Sequence, residues 1–435
     1  MITRLAHRSG AFTQQPLRPH YSPLLIALTF LVCFSEGFGY FLREAYNVPS
    51  PHLLGIPLFF AALGVFYFRN PGFGIQKQFS ASLHFILFAT LWLFVQLAVR
   101  DEFYILGYGQ TVLFIVMLFV TRLLFEQMLD RPEEERFLQN ILGTALALHV
   151  IQIVSIVLVA LAWHIGGVSL NLLEFLSQPV VSDQYGFRAS GISREPAWAA
   201  IGLASTYLVI HYLAPERRTG ALCGYILAAW LINSGTAYLF GILFGLMYMA
   251  GRRSSLMFIV GGIFALLAVA LMTYLQWDRI GEILQGADPS MNMRFASTKV
   301  ALEVVYESFP IGTGYGNFRL FGVYGAEFDN FINLDLIKRY KSDILLLNII
   351  SELGIAGVVF LGMFYRSIIV RTYIAPIVFL LGILFLFGTI IVPPLILVVA
   401  TTGLLAAREK RQTATWLQQD MPLSETTRQQ AGADV

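Results

Sequence analysis

Nine basic residues fall in two long polar segments that interrupt an otherwise apolar chain. Arg188 and Arg194 lie in the first, 164–195. Arg279, Arg294, Lys299, Arg319, Lys338, Arg339 and Lys341 lie in the second, 276–342. A guanidinium is planar, keeps its charge and pairs bidentately with phosphate. The stretch Arg188-Ala-Ser-Gly191-Ile-Ser-Arg194-Glu195-Pro196 ends in a proline suited to a first helical turn. Ser193 or Glu195 then sits near the cap. A helix start flanked by Arg188 and Arg194 favours an anion. The competing reading of Arg194 is an ordinary ion pair with Glu195 or Asp183 on a solvated face.

In the second segment, residues 291–308 place Ala296, Val300, Ala301, Val304 and Val305 at helical spacing. Such a helix lies on a membrane surface or covers a helical bundle. Arg294 and Lys299 sit on or beside it. Pro310-Ile-Gly312-Thr-Gly314-Tyr315-Gly316-Asn317-Phe318-Arg319 follows. Its alternating glycines give a turn where backbone approaches another group closely. No strand precedes it, so a dinucleotide-binding or P-loop reading fails on context. Lys338, Arg339 and Lys341 run up to Ser342-Asp343, where a further apolar span begins. They are interface anchors or substrate contacts. Asp343 and Glu195 are the candidate proton acceptors, each with a capping role as its alternative. Tyr185, Tyr315 and Tyr324 can stack on sugars or anchor the loops at the interface.

These segments are held by a chain of 435 residues, 57% apolar and 13% charged, which excludes a water-soluble enzyme. The expected fold is all-α, a polytopic integral membrane protein with about twelve transmembrane helices. The spans are 23–42, 52–68, 81–99, 104–125, 137–163, 196–214, 219–233, 235–251, 254–275, 343–365, 372–390 and 391–407. Continuous apolar runs argue against a barrel. The first span is too long for a signal peptide and no small-residue cleavage site follows it. With the N-terminus inside, 18 of the 29 lysines and arginines fall on the cytoplasmic side. The short outer loops keep only Arg43 and Arg100, and long translocated loops are exempt from the bias.

The chain accordingly divides into a cytoplasmic segment 1–22, N-terminal transmembrane helices 23–163, a first long outer loop 164–195, central transmembrane helices 196–275, a large outer loop 276–342 with amphipathic helices, C-terminal transmembrane helices 343–407 and a disordered cytoplasmic tail 408–435. Cys33 and Cys223 both lie within spans and are expected to be inert, buried thiols. They form neither a disulfide framework nor a zinc spacing, and no metal site is expected. The balance of 29 basic and 27 acidic residues gives no reason to expect nucleic acid.

Outside the cytoplasm no nucleotide is supplied, so phosphate chemistry there must run on a substrate that arrives activated. A sugar on a polyprenyl diphosphate fits. Its head group needs arginines, and its tail needs an apolar groove between helices.

Three stretches carry a family resemblance: Arg188–Pro196 with the helix after it; Arg294 through Gly312-Thr-Gly-Tyr-Gly316-Asn-Phe318; and Ser342-Asp343 through Glu352-Leu-Gly354-Ile-Ala-Gly357. In order, spacing, span count and loop placement, the chain from about residue 137 to 407 resembles the O-antigen polymerase and ligase family (Wzy- and WaaL-like proteins). The resemblance implies a metal-independent membrane glycosyltransferase of lipopolysaccharide or related polysaccharide biosynthesis, without cofactor. It would sit in the bacterial inner membrane with both termini cytoplasmic and its active site facing the periplasm. Its donor and acceptor would be undecaprenyl-pyrophosphate-linked oligosaccharides, its surroundings membrane lipids, and a chain-length regulator protein a further partner.

By the same resemblance, Arg188 and Arg294 contact the diphosphate, with Arg194 and Arg319 in support. From the residues themselves, and not from the resemblance, Asp343 or Glu195 is the candidate to take the acceptor's proton, and Tyr315, Lys338, Arg339 and Lys341 are the candidate substrate contacts. Two departures matter. Where the family often has Ser-Arg-Thr between paired short helices, this chain has Ser234-Gly235-Thr236. Where ligases place a histidine before the late span, this chain has Asp343. The missing histidine favours polymerase over ligase. A capsule or exopolysaccharide polymerase fits equally. A transporter would carry charged residues buried mid-membrane; few ionisable groups lie inside these spans, Glu36 being one and His149 another.

Overall fold

The computed structural model describes residues 18–27, 29–30, 76–99, 134–168, 170, 181–182, 186–193, 196–250, 270, 274, 277–285, 289–314 and 345–368. It is helical almost throughout. Helix α1 is Gln76–Val99 and α2 is Glu134–Gly166. A hairpin of two-residue strands follows, β1 Val181–Ser182 and β2 Gly186–Phe187, paired antiparallel with Val181 opposite Phe187. Then come α3 Pro196–Leu213, α4 Arg218–Ile232 and α5 Gly235–Ala250. Further on are α6 Trp277–Leu284, α7 Pro289–Ser308, α8 Leu345–Leu353 and α9 Ile355–Ile368.

The expected spans 81–99, 137–163, 196–214, 219–233 and 235–251 coincide with α1 to α5 to within a few residues. Span 343–365 differs, because Gly354, at φ +57°, breaks it into α8 and α9. The expected all-α character is interrupted by the small β1–β2 hairpin in the first long loop. The other six spans lie wholly or largely outside the described residues. Two of the helices are long and apolar enough to cross a bilayer: α2, with a 29-residue apolar stretch from Leu138 to Gly166, and α3, with 18 residues.

Helices α2 to α5 share one core. Leu138, Leu142, Ile156, Tyr207, Tyr225, Phe240 and Phe244 are fully buried in it. Small residues let the backbones approach. Ala199, Ala200, Ala204, Ala228 and Ala237 line the interfaces. The ring of Phe244 lies 4.5 Å from that of Tyr207 and 5.1 Å from that of Tyr225.

On α2 the distribution of polarity is the reverse of what water selects. The face turned into the bundle carries His149, Gln152 and Ser155, all buried. The opposite face exposes Val150, Val154, Leu158, Leu161 and Ile165. Polar groups inside and an apolar stripe outside suit hydrocarbon as the surrounding solvent. His149 bonds to Thr206 Oγ1 of α3 at 2.8 Å and to the Ala221 carbonyl of α4 at 3.1 Å. A neutral ring meets both partners if Nε2–H donates to the carbonyl and Nδ1 accepts from the threonine. The one intramembrane histidine singled out above therefore serves as a three-helix tie.

The expectation of a buried Cys223 does not hold. The thiol is exposed on α4, close in sequence to the exposed Ile226 and Leu227. Both apolar faces of a membrane helix are equally comfortable for a thiol, so its place in a span does not decide which one it takes. Cys33 lies outside the described residues.

Candidate functional site

Arg188 owes its position to the segment after it. Residues 189–193 thread into the bundle and are buried. The Ala189 N–H donates to the Leu231 carbonyl at the C-terminal end of α4, 3.1 Å away. Ile192 N–H donates to Ser155 Oγ of α2 at 3.3 Å. Gln152 Nε2 donates to Ser193 Oγ at 3.0 Å and to the Ala199 carbonyl of α3 at 3.1 Å. The Ser193 side chain thus bonds back to α2, and α3 begins at Pro196 as expected. Gly191 has φ +59°, and a Cβ there would fall 2.4 Å from Ser155 Oγ. Only glycine fits that passage between loop and helix.

The arginine itself emerges half-buried at the end of the bundle where α4 turns into α5. Its Nε and Nη2 atoms are shielded from solvent. Its charge acts on the Tyr238 hydroxyl of α5. That hydroxyl donates to Asn233 Oδ1 at 3.1 Å. Asn233 closes α4 in the left-handed conformation, φ 46°. Ser234 caps α5, its Oγ accepting from Ala237 N–H at 3.3 Å. The Ser234-Gly235-Thr236 turn and the Arg188 motif, far apart in sequence, therefore meet. Next to Arg188, the ring of Phe187 stacks on Trp163 of α2 with centroids 5.3 Å apart, and His164 meets it edge-on at 5.5 Å. The Arg188 guanidinium and the Asn233 amide N–H groups are the donors this end of the bundle can offer an anionic head group, with the Phe187–Trp163 stack beginning one residue away.

A second constellation joins the two glycine motifs of the late chain. Ile355 N–H donates to the Pro310 carbonyl at 2.8 Å and Thr313 N–H to the Ser351 carbonyl at 2.8 Å. Gly314 N–H donates to the Glu352 carbonyl at 3.1 Å. Gly312, at φ +86°, and Gly354 pack against each other's strands of backbone. A Cβ on Gly312 would stand 2.6 Å from the Glu352 carbonyl oxygen, and one on Gly354 would stand 2.1 Å from that of Pro310. The close backbone approach expected of the glycine run is thus made to residues 351–355. Helix α7 forms as its spacing predicts, and packs Val300, Ala301 and Val304 towards Leu347 of α8.

Of the arginines expected to grip phosphate, Arg188 is placed with its side chain. Arg294 is placed by its backbone on the N-terminal part of α7. Arg194, Glu195, Tyr315, Arg319, Lys338, Arg339, Lys341 and Asp343 lie outside the described residues, as does Glu36. Among the described residues no group of three or more histidine, cysteine or carboxylate side chains is arranged to hold a metal ion. Three participants were not foreseen from sequence: Gln96, Gln152 and Tyr238. Two of them had a signal, an amide inside an apolar run, because such groups in a span must find partners.

No protein-family model, curated protein or solved structure matches this chain.

Proposed function

We propose that the chain is a polysaccharide polymerase of the inner membrane. It transfers a growing glycan from undecaprenyl pyrophosphate to a lipid-linked repeat unit on the periplasmic face. The observation that carries the reading is the setting of Arg188. A loop buried in an apolar bundle holds its guanidinium, with Nε and Nη2 shielded from solvent, near Tyr238 and the α4–α5 turn, and the residue before it stacks on Trp163.

The acceptor hydroxyl attacks the anomeric carbon as its C–O bond to the diphosphate breaks. The electron pair leaves with the diphosphate, and the proton goes to a carboxylate, for which Asp343 and Glu195 are the candidates. Arg188 stabilises the charge that grows on the leaving group, and in a partly dry site that interaction is stronger than in water. Arg294 is its partner in this scheme, with Arg194 and Arg319 in support.

The test is reconstitution of the purified protein with synthetic undecaprenyl-pyrophosphate repeat units. A ladder that forms without nucleotide or added metal is the expected result. Arg188→Ala should slow it roughly 100-fold, and Arg188→Lys should restore only part. A normal ladder from both variants overturns the role of Arg188. Transfer to lipid A–core in place of ladder growth makes the protein a ligase.

A further inference from the structure

We infer that Gln96 is a positioning residue that locks the end of the second outer segment and the α8–α9 turn to α1. The inference rests on the polymerase reading for what is being positioned. Gln96 lies in the last turn of α1, within the apolar run Leu-Trp-Leu-Phe-Val-Gln-Leu-Ala-Val, and is 2% exposed. Its Nε2 donates to the Ile311 carbonyl and to the Glu352 carbonyl, each at 2.8 Å. The two acceptors belong to the two turns that interlock through Gly312 and Gly354. One amide therefore pins both halves of the clasp to a third element.

The orientation of the amide is decided by its neighbours, since two carbonyls can only accept. Its own Oε1 is buried without a hydrogen-bond partner. A buried, unmatched acceptor is unfavourable, and an apolar residue would be spared it. The position therefore bears a cost that the two donated bonds must offset. Helix α7 runs directly into the clasp, through Ser308, whose N-terminal neighbours include Arg294 on the same helix. Fixing the C-terminal end of α7 fixes the line along which Arg294 is carried. Misplacing a catalytic group by about 1 Å costs roughly 100-fold in rate, so a distant tie can govern turnover.

The experiment uses the full chain in nanodiscs, in a Cys33→Ser, Cys223→Ser background with Thr313→Cys as reporter. Thr313 is fully buried in the clasp. Gln96→Met keeps the volume and removes both donors, while Gln96→Asn keeps an amide. In Gln96→Met, maleimide labelling of Thr313→Cys should speed up roughly tenfold. The kcat for ladder formation should fall roughly tenfold, with KM for the lipid-linked donor changed less than about twofold. Gln96→Asn should lie between Gln96→Met and the unaltered protein on both readouts. Unchanged labelling in Gln96→Met overturns the lock. Faster labelling with unchanged kcat overturns the positioning role. If the unaltered protein forms no ladder at all, the polymerase reading fails and the positioning role with it, while the labelling still decides whether the amide holds the clasp.

Discussion

The α2–α5 bundle and the α7–α8–α9 clasp solve the same problem in opposite ways. Both must hold an irregular segment in a fixed place. In the bundle, side chains do the holding: Gln152 and Ser155 reach from α2 to the 189–193 loop, and His149 ties three helices together. In the clasp, the two turns bond main chain to main chain, glycines let them approach, and the Gln96 amide joins them from α1. Truncating a side chain is the main threat to the first arrangement, and an added methyl against backbone is the main threat to the second.

Substitutions can break or sharpen that contrast. The largest effect is expected at Gly354. Gly354→Ala puts a methyl 2.1 Å from the Pro310 carbonyl oxygen at a positive φ, and the obstructing atoms are backbone. A loss of about 4 kcal/mol is expected, read as collapse of the monodisperse peak on heating in detergent. Gly191→Ala should cost less, about 2–3 kcal/mol, because its nearest obstacle is the Ser155 hydroxyl. The sharper test is the double variant. Adding Ser155→Ala to Gly191→Ala should recover part of the loss, whereas no side-chain truncation should rescue Gly354→Ala. Equal rescue of both would erase the distinction.

Gln152→Leu comes next. It strips the donor from Ser193 Oγ and the Ala199 carbonyl and should cost about 2 kcal/mol in the same melting assay. Tyr238→Phe is the smallest. It removes one hydrogen bond to Asn233, about 1 kcal/mol, and leaves the ring in place. If Tyr238→Phe lowered ladder formation far more than stability, the hydroxyl would belong to the head-group site and not only to the turn.

Much of the helical layout was legible because hydrocarbon imposes a simple rule. Apolar runs long enough to span must be helices, and α2 and α3 obey it. The start of α3 at Pro196 followed from proline's fixed φ and missing N–H. The break at Gly354 was hidden because 343–365 was taken as one span, with the polar residues Ser351 and Glu352 just before the glycine carried inside it. What broke the helix was a contact with Pro310 and Gly312, and no local pattern reports a partner so far along the chain. The site was legible in part. Arg188 was singled out by its type and its glycine- and proline-flanked loop, and it stands at the junction described. Tyr238 was invisible, since its role depends on the α4–α5 turn being folded against the Arg188 loop. Gln152 and Gln96 were visible as amides in apolar runs, but periodicity alone gave no clue to their partners. The exposure of Cys223 was likewise a matter of helix rotation, which an all-apolar helix leaves open.

The amide of Gln96 leaves the ribosome 215 residues before one of its acceptors and 256 before the other. During synthesis the amide on α1 therefore has no destination until both late turns are made. The bundle, whose core runs from Leu138 to Phe244, can close while the remainder is still being made. Docking of the late turns onto α1 can come only after residue 352 has been made, and a chain truncated before it is expected to retain the bundle without ever acquiring the lock.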